Sequence, residues 1–239
     1  MKPSSPFLNL AGPVAIGILA LVLWDTPVVF PLKIFVVFLH ELCHGLAALV
    51  TGGSVARIEL SVEEGGLCVT RGGWSFLILS AGYLGSMALG ATLLVLGSRS
   101  RRDRAILGVV GGITLLVTLL WVRSTFGLVF GAAAGGSMML VAWKLPDAVS
   151  DALLKIIGVV SSLYAVRDIA SDVLLRDIPG SDANALAELT GIPAALWGVA
   201  WVAASLAVAF FALANSAKGP GAAESDGASP PKTRVGGPA

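Results

Sequence analysis

The sequence predicts an all-α polytopic membrane protein of about seven transmembrane helices, with one small β-hairpin after the second span. Three observations carry that prediction. The 239 residues are 56% hydrophobic and only 13% charged, with mean hydropathy +0.86, where a soluble domain carries about 25% charge. The apolar residues fall in runs near the ~20 residues that cross a bilayer as a helix. Between the second and third runs, residues 54–73 alternate polar and apolar, the pattern of strands. The net charge of +1 gives no reason to expect a nucleic-acid partner, and two cysteines, Cys43 and Cys68, support no disulfide framework.

In chain order, residues 1–10 are a short polar lead. Residues 11–24 form the first apolar run; lacking a small-x-small cleavage site before Asp25-Thr26-Pro27, it is expected to be a retained span rather than a signal peptide. Pro27 and Pro31 punctuate the link to a second span, 28–50, which Gly52-Gly53 ends. In the hairpin, Val55, Arg57, Glu59 and Ser61 alternate with Ala56, Ile58, Leu60 and Val62, and Glu63-Glu64-Gly65-Gly66 is the turn signal. Such a hairpin lies at the interface or in a cavity shielded by helices, because bare strand edges are excluded from lipid. It is either a plain connector or an edge that pairs with an extended substrate.

Spans are then expected at 74–97, 105–121, 124–143, 151–175 and 192–214. The 74–97 span carries Gly82, Gly85, Ser86 and Gly90, small residues that let another helix approach. Arg99, Arg101, Arg102 and Arg104 make the strongest orientation signal, and the positive-inside tendency puts their loop inside. A short helix at 183–189, capped by Ser181 or Asp182, precedes the last span. Residues 215–239, rich in Gly, Pro, Ala and Ser, are expected to be a disordered tail to a membrane-embedded domain of residues 1–214.

The second span contains His40-Glu41-Leu42-Cys43-His44. Residues four apart share a helix face, so His40 and His44 can aim two imidazoles at one cation. Glu41 is placed to take a proton from water at that cation. Ionisable groups are rare and costly within a span, so this cluster is a functional hypothesis by default. A catalytic zinc takes three protein ligands, and the chain has no further histidine. The third ligand is therefore a carboxylate or Cys. Asp168 is preferred on depth, since it lies well inside its own span. Asp182 is the alternative, with Asp172 and Glu188 behind it and Cys43 a weak substitute. The competing roles are ion pairing with Arg167 or Arg123 for Asp168 and Asp172, and helix capping for Asp182.

The chain resembles the site-2 protease family of intramembrane zinc metalloproteases, in its compact branch without a PDZ domain. The resemblance rests on His40-Glu41-Leu42-Cys43-His44 in a membrane span, the Gly52-Gly53 to Gly72-Gly73 hairpin, a Gly-containing third span and a late Asp. It implies one zinc per chain held by His40, His44 and an Asp, Glu41 as the base, a membrane-protein helix as substrate, and a multi-pass location in a bacterial cell membrane. The family carries its Asp in Leu-Asp-Gly; here the nearest segments are Arg167-Asp168-Ile169 and Ser181-Asp182-Ala183. The family's third-span Gly-Pro and downstream Asn are replaced by Ala81-Gly82-Tyr83-Leu84-Gly85-Ser86. The family also puts its hairpin on the cytosolic side, opposite to the charge pattern followed above. Two other classes fit parts of the sequence: an inactive membrane scaffold of the same fold, and a metal-ion or proton transporter using His40, Glu41, Asp168 and Asp172.

Overall fold

The computed structural model describes residues 6–170 and 180–217. Among them are eight helices and one two-stranded antiparallel sheet. The elements are α1 (Pro6–Val22), α2 (Phe30–Val50), β1 (Ser54–Leu60), β2 (Gly66–Arg71), α3 (Ser75–Arg99), α4 (Asp103–Trp121), α5 (Thr125–Lys144), α6 (Asp147–Ile169), α7 (Asp182–Thr190) and α8 (Ala194–Ser216). Six helices, α2 to α6 and α8, are long and apolar enough to cross a membrane. This is a polytopic membrane protein. The first expected span is a helix of 17 residues, about 25 Å long against a hydrocarbon core of about 30 Å. The sixth helix begins at Asp147, directly after Pro146, and takes in the start of the expected span at 151. Its expected continuation to 175, with Asp172, and most of the expected tail lie outside the described residues.

α2 is the central helix. Phe38 and Ile34 are fully buried in the largest apolar cluster, with Trp24, Leu107, Leu154 and Tyr164. α3 packs antiparallel on α6 through small residues. A Cβ at Gly90 would overlap Ser161, and one at Gly158 would stand 2.7 Å from the Gly90 carbonyl. With no hydrophobic drive between helices in lipid, such close backbone approach is what holds them together.

The hairpin does not project outward. It folds back along α2, with Gly66 of β2 against Val37 and Glu41, and Val55 and Cys68 against Gly45. Its base is fastened by Gly53 N–H to the Ala48 carbonyl at 2.8 Å and by Trp74 N–H to Thr51 Oγ1 at 2.9 Å. The outer edge of β1 is taken by the α4–α5 link: Arg123 N–H donates to the Ile58 carbonyl at 2.9 Å, and Leu60 N–H donates to Ser124 Oγ at 2.9 Å. A β-bulge falls between Val55 and Arg57.

α7 is the second re-entrant piece. Ser181 caps it by accepting from Asn184 N–H at 3.3 Å, so of the two expected caps it is Ser181 that serves. Ala183 and Leu186, three apart on one face, are fully buried with Tyr83, Ile169 and Trp201. That apolar face draws the short helix back onto α3 and α8.

Candidate metal centre

Three donor atoms from two distant parts of the chain converge. His40 Nε2 lies 3.0 Å from Asp182 Oδ2, His44 Nε2 lies 3.2 Å from the same oxygen, and the two imidazole nitrogens are 3.0 Å apart. Among the described residues this is the group of His, Cys, Asp and Glu side chains able to share one ion. The preference for Asp168 over Asp182 is not followed by the geometry: Asp168 lines the same cavity but stands outside the cluster. Depth within straight helices pointed to Asp168. The fold instead brings Asp182 in on the first residue of α7, freed from capping by Ser181. Cys43 faces Gly85 of α3, Glu188 is exposed, and Asp172 lies outside the described residues.

The imidazoles are oriented from behind. His44 Nδ1–H donates to the Ile78 carbonyl at 2.6 Å, which in the neutral tautomer leaves a lone pair on Nε2. The Tyr83 ring meets His40 edge-on, with centroids 4.6 Å apart, and is backed by Trp201 at 5.4 Å. Burial alone would push the Asp182 carboxyl up, but hydrogen bonds to His40 and His44 hold it below the ordinary carboxylate range. An anionic oxygen and two imidazole nitrogens facing one another at about 3 Å need a proton or a cation between them. Tetrahedral zinc, with bonds of about 2.0–2.1 Å, wants donors about 3.3 Å apart. The observed spacings are a few tenths of an ångström tighter, and the donor set fits.

Gly82 is what makes room. A Cβ there would overlap His40 Nε2 and stand 2.5 Å from His44 Nε2. The sequence marks Gly82 as a helix-packing residue and as part of the segment that stands at the family's third-span Gly-Pro; its position on the face opposite the histidine pair is a product of the α2–α3 register.

Glu41 is 5% exposed and faces the hairpin rather than α3. The Cys68 backbone N–H donates to its carboxylate. Gly66 lets β2 pass this close, because a Cβ would stand 2.7 Å from Glu41 Cγ and 2.8 Å from Val37 Cγ1. The donor cluster and Glu41 border a cavity of about 510 Å³, which Gly66, Leu67, Cys68 and Thr70 of β2 also line. Sequence reasoning places Gly66 only in the hairpin turn and Tyr83 only in the third-span segment, and does not name the Ile78 carbonyl; their contacts with the site are found only from the packing.

The family model described as Peptidase M50B-like matches residues 14–212. No curated protein and no solved structure matches the chain.

Proposed function

The chain belongs to the Peptidase M50B-like family, the site-2 protease family, and from that premise we propose that it is an intramembrane zinc metalloprotease cleaving a transmembrane or membrane-proximal peptide bond. The observation that carries the reading is the convergence of His40 Nε2, His44 Nε2 and Asp182 Oδ2 on one point beside the buried Glu41. These three atoms would hold one zinc. Zinc bound there would polarise a carbonyl and bring the pKa of water towards about 7.

The protein's own groups do the rest. Glu41, steadied by the Cys68 N–H, takes the proton of the attacking water and delivers it to the leaving amine. The Ile78 carbonyl and the Tyr83 ring keep the imidazoles in register. The β2 edge, on the side away from β1, borders the cavity and offers backbone groups to an extended peptide. A substrate helix would unwind to use it, since a helical peptide bond is shielded by its own turns.

The test is zinc per chain in purified, detergent-solubilised protein, together with cleavage of a transmembrane peptide. Wild type should carry one zinc. Asp182→Asn should lose it and Asp168→Asn should retain it. Glu41→Gln should keep the metal and lose at least about 10²-fold in cleavage. A zinc-free wild type after reconstitution would favour the inactive scaffold; cleavage persisting in Glu41→Gln would refute the mechanism.

A further inference from the structure

Four residues of α2, each four after the last, face the hairpin: Lys33, Val37, Glu41 and Gly45. Three of these contacts are explained by close packing. The first is an ion pair. Lys33 Nζ lies 2.5 Å from Glu64 Oε1, with the lysine side chain only 8% exposed. Lys33 also lies 5.9 Å from the centroid of Trp24, a ring that is itself buried.

Glu64 sits at the hairpin tip, and its backbone is unusual. Among the described residues it is the one non-glycine with positive φ, at 63°. Left-handed geometry disfavours a residue with a Cβ, and Gly65 and Gly66 are its next neighbours. A costly conformation held by a non-glycine points to a constraint on its side chain. That side chain reaches a buried cation. Glu64 also lines the 510 Å³ cavity, two residues ahead of Gly66, where β2 meets Glu41.

We propose that Lys33 and Glu64 are positioning residues: their ion pair pins the β2 arm of the hairpin tip to α2 and so fixes the Gly66–Cys68 backbone against Glu41. The role of Glu41 rests on the reading above; the tether does not. The base of the hairpin is fastened by Gly53 and Trp74, and its β1 arm by Ser124. Glu64 fastens the β2 arm at the tip. Without it the strand can lift from Glu41 while its other end stays anchored.

Cys68 reports on that movement. It lies in β2 and lines the cavity. In a Cys43→Ala background it is the remaining thiol. The experiment measures its alkylation by N-ethylmaleimide in full-length protein, with zinc content in parallel. Glu64→Gln and Lys33→Met should each speed alkylation at least about tenfold with zinc retained, since the first leaves the buried Lys33 ammonium unpaired and the second takes away the partner that holds Glu64. Exchanging the charges, Lys33→Glu with Glu64→Lys, should return the rate to within about threefold of the parent. On a transmembrane peptide that the parent cleaves, kcat should fall in the single variants and recover in the exchange. Parental alkylation rates in the single variants, or no recovery in the exchange, would overturn the proposal. So would zinc loss with unchanged alkylation, which would tie the pair to the donor cluster instead. A parent without zinc would count against the metalloprotease reading and leave the alkylation comparison intact.

Discussion

Gly82→Ala is the sharpest probe of the donor cluster, because it adds one methyl group and no charge. Built on the observed backbone, the new Cβ stands 2.5 Å from His44 Nε2 and closer still to His40 Nε2. Comfortable contact begins near 3.5 Å, so α3 or both imidazoles must yield by about 1 Å. Metal sites tolerate departures of roughly 0.2 Å in ligand distance. The histidines cannot turn away cheaply: His44 is tied to Ile78 and His40 is backed by Tyr83. Zinc affinity should fall at least about 100-fold, which is about 2.7 kcal/mol. The control is Gly112→Ala in α4, where a Cβ meets nothing within 4 Å. That change should leave zinc binding unaltered. Competition with a chromophoric chelator gives both affinities, and thermal melting shows whether each variant is folded. A folded Gly82→Ala protein that binds zinc within about threefold of wild type would refute the placement of the cluster.

Three further outcomes follow from single contacts. Gly66→Ala should retain zinc but lose activity, because its Cβ would press on Glu41 and Val37 without touching the donors; metal analysis beside peptide cleavage separates the two. Ser181→Ala removes the cap of α7, about 1 kcal/mol of local stability, and should weaken zinc binding up to about fivefold through Asp182, read by the same chelator competition. The Cys68 thiol, pushed up to about 12 by burial and then by the Glu41 charge, is neutral at pH 8, so its alkylation should be about a thousandfold slower than that of an ordinary thiol; the rate should climb with pH to beyond 10 and rise in Glu41→Gln.

The histidine pair and its acid were legible because one rule, the helical period, decides them, and because ionisable groups stand out in an apolar run. The hairpin was legible from its alternation and its Glu-Glu-Gly-Gly turn. Six of the expected seven spans followed from length and hydropathy, the first run being a shorter helix. What was hidden depends on pieces that cross the bundle rather than span it. Asp182 was ranked behind Asp168 because depth was judged along straight helices, whereas α7 re-enters on a buried Ala183–Leu186 face. The signal was present: two candidate caps stood side by side, and one helix end needs one capping side chain. Lys33 carries no motif, although it lies eight residues, about 12 Å along the axis, before Glu41 on the same face. Nothing local told that its partner was at the hairpin tip.

The arrangement around α2 separates two tasks that the motif joins in sequence. His40 and His44 turn towards α3, where Gly82 and the Ile78 carbonyl set their positions, and α7 supplies the third donor. Glu41, one residue from His40 but about 100° further around the helix, turns towards β2, where Gly66, Cys68 and the Lys33–Glu64 pair set its position. Holding a metal here would thus be a matter of packing between helices, and aiming Glu41 a matter of where the hairpin lies. Helix packing through small residues is rigid, whereas a two-stranded hairpin alone is marginally stable. The hairpin also borders the cavity, through Glu64 to Cys68. The Lys33–Glu64 pair is therefore what lets a marginal element keep the Gly66–Cys68 backbone against Glu41.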